Sequence, residues 1–311
     1  MKDSTVKKKH WYHSKRSRYK GLVALGFLAP GVIYYILFRY MPMWGNLIAF
    51  QDYSPFKGIM KSEWVGLENF LVFFRSAYFW RLMKNTMLIS IYGIVFSFPL
   101  PIIFALLLYE VKFTRFRSVM QSISYFPHFI SVVVLCGLLK EYLGMTDGLV
   151  NALIEMLGGV RQNFLQDPQW FRTIYIASDI WKEVGWSSII YYSTLASIDT
   201  TLFEAASLDG ANRRQRIWHI SIPCLIPTIV TLLLMRIGNI LSVGYEKTLL
   251  LQNSSNYSTS DILGTYVYRM GIESAEYSFA SAVGLFNNVV GVIILTVFNR
   301  ISRKVSETSL W

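Results

Sequence analysis

The sequence predicts an all-α membrane protein with six transmembrane helices, and three observations carry that prediction. The 311 residues are 53% hydrophobic and 16% charged, with a mean hydropathy of +0.37, too apolar for an ordinary soluble domain. Apolar runs recur at the length of about 20 residues that crosses a hydrocarbon core of roughly 30 Å. Lys and Arg are concentrated in alternate connecting segments, as expected when those segments share one side of a bilayer.

Residues 1–20 form a basic tail carrying Trp11, Tyr12 and Tyr19, read as a topology anchor beside anionic headgroups. The membrane domain spans 21–299, with helices expected at about 21–40, 87–109, 123–142, 171–193, 223–244 and 277–298. The first run ends in Arg39 and Pro42 and lacks an A-x-A-like exit, so it reads as an uncleaved span and not as a signal peptide. Between the first two spans, Leu67–Met83 is amphipathic and aromatic-rich, the pattern of a helix lying in the membrane interface. A short basic turn is expected at 111–122. Gly144, Gly148, Gly158 and Gly159 mark turns around a helical middle in 143–170. Residues 245–276 contain a polar loop from Asn253 to Asp261, and 300–311 form a C-terminal tail.

Charge distribution sets the orientation. Basic residues cluster from Lys2 to Lys20, at Lys112, Arg115 and Arg117, at Arg213, Arg214 and Arg216, and at Arg300, Arg303 and Lys304. With six spans these segments share one face, which the positive-inside rule makes cytoplasmic, and both termini go with it. The same segregation explains the net charge of +11 without nucleic acid. Cys136 and Cys224 lie in or beside spans, so no disulfide framework is expected and both read as small packing residues.

Enzyme motifs are missing. The sequence contains no G-x-x-x-x-G-K-[ST] phosphate loop, H-E-x-x-H, C-x-x-C or G-x-S-x-G, and His10, His13, His128 and His219 show no metal-ligand spacing. What remains is intramembrane charge, which is costly and marks function by default. In the fourth span Asp179, Trp181, Lys182, Glu183 and Trp186 fall together. In the fifth, Arg236, Asn239, Ser242 and Tyr245 follow i, i+3, i+6, i+9 and predict one helical face. Two readings stay open for both sets: hydrogen-bonding glue between helices, or the wall of a wet cavity for a polyhydroxylated solute. Asn287 and Asn288 read as packing polar groups. Asp179 with His128 is the one loose candidate for a catalytic dyad.

The segment 200–222 is the polar interruption between the fourth and fifth spans. Leu202–Leu208 predicts a short helix, Gly210 a positive φ at its end, and Ala211–Ile220 a second helix leading to Pro223 and Pro227 in the first turn of the next span. Ala205 and Ala206 leave a low surface on which another protein can approach, with Glu204, Asp209 and the arginines around it. An ordinary amphipathic loop with a topogenic charge run is the alternative.

Glu204-Ala205-Ala206, Asp209-Gly210-Ala211, Ile220-x-Ile222-Pro223 and Pro227 closely resemble the EAA loop of binding-protein-dependent ABC importer permeases. Gly66-Leu67-Glu68-Asn69-Phe70, Phe79-Trp80 and Asn85-Thr86 resemble that family's approach to the second span. Ala29-Pro30-Gly31, Tyr40-Met41-Pro42 and Ala49 through Phe56 resemble Gram-positive oligosaccharide permeases of the maltose-type branch. The resemblance covers nearly the whole chain. It implies a type I importer fold, a second homologous permease, two ATP-binding subunits that hold ATP and magnesium, and an extracytoplasmic solute-binding lipoprotein. This chain itself then needs no cofactor and does no chemistry on the solute. Glu204, Ala205, Ala206, Asp209, Gly210 and Arg213 inherit the ATPase-coupling role. Trp181, Lys182, Glu183 and Trp186 fall at that family's first sugar-binding span and Asn239 and Ser242 at its second, with Arg236 and Tyr245 joining them as candidate substrate contacts from the polar stripe. Lys182 and Glu183 depart from the apolar or small residues expected there and suggest a charged or uronate-bearing ligand. Importers of other polar solutes, and a membrane scaffold or sensor that reports binding-protein occupancy, are the competing functions.

Overall fold

A computed structural model describes residues 15–306; the first 14 residues of the basic tail and the last five of the C-terminal tail lie outside the described residues. Helix α1 (Lys15–Tyr35) runs on through a π turn (Ile36–Tyr40) and a 3-10 stretch (Met41–Phe50). None of its best apolar window is buried within the chain. A two-residue antiparallel pair, β1 (Gln51–Asp52) with β2 (Glu63–Trp64), encloses α2 (Gly58–Lys61) and pairs Gln51 with Trp64. Next comes α3 (Glu68–Arg75), then α4 (Phe79–Tyr92), a π turn (Gly93–Ser97) and α5 (Pro99–Tyr109) as one rod of 31 residues. The second span therefore starts two turns earlier than the hydropathy predicts. The amphipathic Leu67–Met83 is not one interfacial helix: it breaks at Ser76, and Phe73 and Leu82 are fully buried in a core with Leu241, Leu263, Tyr266 and Val283. Its aromatic residues pack on protein, with Phe73 meeting Phe79, Phe279 and Phe286 edge-on.

The third span departs most from expectation. Helix α6 (Thr114–Tyr125) begins within the predicted basic turn, passes into a 3-10 turn (Phe126–Phe129) and stops. Helix α7 (Val132–Tyr142) then leaves at 97°. Ile130 is extended, and Ser131 caps α7 by accepting from the Val134 amide at 3.2 Å. Pro127, which lacks a donor, and Ser131, which prefers an N-cap, together make this a broken span. After α8 (Leu149–Met156), α9 (Pro168–Ala196) runs 29 residues, about 43 Å at 1.5 Å per residue. It carries Arg172, Asp179, Lys182 and Glu183, so it is long enough to span but not apolar throughout.

Helices α10 (Thr200–Leu208), α11 (Arg213–Arg216), a π turn (Ile217–Ser221) and α12 (Ile222–Gly238) follow. Pro227 lies inside α12 and not in its first turn. The chain then turns through α13 (Tyr245–Leu251), α14 (Tyr257–Ser260) and α15 (Leu263–Tyr268) to α16 (Tyr277–Ser306). By length and composition, four of the described helices can cross a membrane (Val23–Phe50, Phe79–Tyr109, Arg213–Gly238 and Tyr277–Lys304), and the bent α6–α7 pair makes a fifth.

Three of the four π turns among the described residues share one cause; the fourth, Arg269–Glu273, has no proline after it. Each of the three ends two residues before a proline: Tyr40 before Pro42, Ser97 before Pro99, Ser221 before Pro223. A proline cannot donate and crowds the carbonyl four residues back, so the turn ahead of it widens to an i→i−5 bond, such as Phe98 N–H to Gly93 O at 3.0 Å.

Where α6 crosses α9 the backbones nearly touch. A Cβ on Gly185 would stand 2.1 Å from the Ser124 carbonyl oxygen, and Gly185 is buried. Gly185→Ala must therefore push α6 off α9, at a cost of about 1–3 kcal/mol by overpacking. The expected readout is a lower melting temperature of the detergent-purified protein, with Gly137→Ala, where a Cβ meets nothing within 4 Å, unchanged.

The polar 253–261 loop is structured. Asn256 donates to Leu165 O and Leu251 O and accepts from Ser260 Oγ at 2.8 Å. Asp261 is fully buried and accepts from Arg81 at 2.9 Å and from Arg269 at 3.1 and 3.2 Å. Asn85 donates to Asp261 O and Ser258 O and accepts from Arg172 at 2.8 Å, so α4, α9 and this loop are held together. Cys136 is buried as a packing residue; Cys224 is exposed.

Candidate functional site

The charged residues of α9 are arranged in two separate clusters. In the first, Lys247 of α13 donates to Asp179 Oδ1 at 2.9 Å and to Tyr175 O at 2.7 Å, with its ammonium 4.2 Å from the Tyr175 ring centroid. Lys247 is only 5% exposed. In the second, Glu183 accepts from Lys182 at 2.9 Å through one oxygen and meets His128 Nδ1 at 2.8 Å through the other. The His128 ring stacks on Trp186 at 4.4 Å with an interplanar angle of 2°. Thus the break in the third span is fastened to α9. The loose pairing of Asp179 with His128 is corrected: each has a different partner.

The predicted i, i+3, i+6, i+9 stripe is also corrected. Helix α12 ends at Gly238, Asn239 leaves the helical region (φ −104°, ψ 20°), and Tyr245 opens α13. Arg236, Asn239 and Ser242 nonetheless share a cavity of about 320 Å3 with Ser90, Gly93 and Asp179, because the chain turns around it. A second cavity of about 540 Å3, between α5, α9 and α12, is lined by Ser97, Glu183, Trp186 and Ser187, and Asp179 and Arg236 line both. Tyr245 faces elsewhere: it stacks on Tyr268 at 6.3 Å in a cleft of about 520 Å3 with Asn46, Tyr277, Asn287 and Asn288.

Trp181 and Trp186 are likewise separated. Five residues turn a helix by about 140° beyond a full turn, and Trp181 lines an apolar cleft against Leu135, Leu139 and Trp170 instead. The structure therefore brings Glu183, Trp186, Arg236, Asn239 and Ser242 around joined cavities, with Lys182 tied to Glu183, and leaves Trp181 and Tyr245 apart. Lys247, Tyr175 and Gly93 escaped sequence reasoning, and His128 was assigned the wrong partner. Each gains its place from a partner far along the chain, which no local pattern signals.

Segment 200–222 is locally determined. Asp199 caps α10 by accepting from the Thr201 amide at 2.9 Å, a bond that holds its carboxyl below the usual range. At the other end Gly210 has φ +80°, Ala211 N–H bonds Ala206 O at 2.8 Å and Gly210 N–H bonds Ser207 O at 3.2 Å. This is a Schellman motif, which only glycine closes without strain. Asn212 and Gln215 form a reciprocal capping box. Consequently α11 starts at Arg213, two residues later than the sequence suggests. Glu204, Ala205, Asp209 and Gly210 are exposed and Ala206 half-buried. Leu208 is 89% exposed beside them. Arg213 turns away from that surface, donating to Glu110 Oε2 at 2.6 Å and tying the segment to the turn after α5. Arg216 donates to Ser207 Oγ at 2.6 Å.

Comparison with known proteins agrees with this architecture. The family description "Binding-protein-dependent transport system inner membrane component" matches residues 97–307. Protein LplB of Bacillus subtilis (strain 168) is 43% identical over 284 residues, covering 91% of this chain and 89% of its own. The polygalacturonan/rhamnogalacturonan transport system permease protein YteP of the same organism is also 43% identical, over 91% and 88%. A chain of a bacterial ABC transporter involved in the import of the acidic polysaccharide alginate superposes with a TM-score of 0.87 at 40% identity, covering 94% of this chain and 98% of that one. A chain of the bacterial alginate ABC transporter in complex with an alginate pentasaccharide-bound periplasmic protein gives 0.88 at 39%, over 95% and 99%. With its EAA-type segment on a helical membrane scaffold, the chain belongs to the binding-protein-dependent transport system inner membrane components and has the type I ABC importer permease fold.

Proposed function

We propose that this permease subunit forms half of the solute pathway for acidic oligosaccharides derived from plant polysaccharides. A second homologous permease completes the pathway, two separate subunits bind and hydrolyse ATP with magnesium, and an extracytoplasmic binding lipoprotein delivers the solute. Both termini are cytoplasmic, which puts residues 200–222 where an ATPase can reach them. Glu204, Ala205, Ala206, Asp209 and Gly210 transmit the ATPase's movement, while Arg213 braces the segment from behind. The solute contacts are Glu183, Trp186, Arg236, Asn239 and Ser242.

The observation that carries this reading is the pair of joined cavities, in which an aromatic face, amide and hydroxyl groups and charges of both signs meet beside α9. Sugars need that combination: a flat ring for their C–H faces and fixed polar groups for their hydroxyls. Relatives named for galacturonan and alginate transport support the acidic class. The cycle alternates between outward- and inward-open states, and docking at the EAA helix biases that equilibrium. Proteoliposomes holding the complete complex and its binding protein test the reading by uptake of labelled trigalacturonate. Trp186→Ala should lower that uptake about tenfold, equivalent to roughly 1.4 kcal/mol. Unchanged uptake would remove Trp186 from the pathway, and a wild-type complex that carries no uronide would sink the substrate class.

A further inference from the structure

We propose that Arg236 is the residue that reads the carboxylate of the transported uronide, and that Gly93 makes room for it. This deepens the acidic-oligosaccharide reading and rests on it. Three cations stand around the cavities beside α9, and the structure separates them by their commitments. Lys182 is neutralised by Glu183 at 2.9 Å, and Lys247 by Asp179 at 2.9 Å. The Arg236 guanidinium makes no hydrogen bond or ion pair among the described residues, and it is exposed to both cavities. An unpaired guanidinium within a span is expensive unless it faces water or a partner. Its exposed side chain lines both cavities.

The setting is built to hold that guanidinium in place. The widened turn ahead of Pro99 presents Gly93, which is buried, and a Cβ there would lie 2.8 Å from Arg236 Nη2. A residue with a side chain at 93 would displace the far end of Arg236; glycine lets it lie flat against the backbone. A planar guanidinium offers a two-pronged donor set that matches a carboxylate, which a point-charge ammonium does not. The carboxylates of Asp179 and Glu183, each held by a lysine, line the larger cavity with Arg236 and accept from hydroxyls. A uronide therefore enters with its carboxylate toward α12 and hydroxyls toward α9. Asn239 and Ser242, beside Arg236, serve the adjoining hydroxyls.

The test uses the complete complex in proteoliposomes with its binding protein, and reads both trigalacturonate uptake and binding-protein-stimulated ATP hydrolysis. Arg236→Gln should cut uptake about 30-fold, the size expected for losing a charge-assisted hydrogen-bond pair, while ATP hydrolysis stays within about twofold. Arg236→Lys should retain part of the uptake. Gly93→Ala, which moves the guanidinium without removing it, should lose a few-fold of uptake per ATP hydrolysed. Equal loss of uptake and hydrolysis in Arg236→Gln would mean a structural role and overturn the proposal, as would full uptake. A wild-type complex that hydrolyses ATP but carries no trigalacturonate would overturn the substrate class and this assignment with it.

Discussion

Replacing Asp261 by alanine is expected to destabilise the protein by about 3 kcal/mol, the low end of the cost of removing one partner from a buried ion pair. The carboxylate is fully buried and receives two arginines, from α4 and from the turn after α15. Truncation leaves Arg81 and Arg269 facing each other across the gap. Their own side chains are 37% and 27% exposed, so water recovers part of the loss. The effect spreads because Asn85 donates to the Asp261 carbonyl and links onward to Arg172 on α9. Asp261→Asn keeps the shape but removes the charge and should fall between alanine and wild type. Thermal melting of the purified complex measures this, and a drop of less than about 1 kcal/mol would show that the arginines are satisfied by solvent alone.

The second large effect lies on the opposite side. Gly210→Pro should abolish uptake while leaving membrane insertion intact. Gly210 has φ +80°, which proline's ring, locked near −65°, cannot reach. The substitution also deletes the Gly210 donor to Ser207 O, so the Schellman closure opens and α10 loses its fixed angle to α11. Ala206→Glu should have the same outcome by a different route, a bulky charge on the low surface offered for docking. Uptake assays beside quantification of the inserted protein separate coupling from folding. Normal uptake in either variant would refute a coupling role for residues 204–210.

The elements that the sequence made legible are those whose causes are local. Helix α10 announces itself through Gly210, although its Asp199 cap and its start at Thr200 went unread, and the apolar runs announce four long helices. The third span was misread because hydropathy counts apolar residues and cannot see that Pro127 and Ser131 turn the chain by 97°. The stripe from Arg236 to Tyr245 was misread because helical spacing continues on paper past Gly238, where the helix stops. At the site, the residue types of α9 were visible, but their pairing was not. Lys247 lies 68 positions from Asp179, and His128 lies 55 from Glu183. Contacts of that separation come from topology and leave no periodic trace. Arg213 shows the converse: a residue with the right motif position whose side chain is spent on Glu110.

The break at Ile130 and Ser131 has a bearing on the barrier that a hydrated sugar meets. Hydrocarbon offers nothing to backbone groups released by a bend, and each one left bare costs several kcal/mol, so such a bend survives only against protein or water. The bend sits beside His128, Glu183 and Trp186, at the wall of the larger cavity. Where such a cavity fills with water, the local dielectric response rises at the point where the solute would otherwise be stripped of its shell. The low-dielectric layer to be crossed is then thinner than the roughly 30 Å of the surrounding bilayer. A solute with many hydroxyls and a negative charge can exchange its hydration in steps, shell against wall, and never has to shed it all at once.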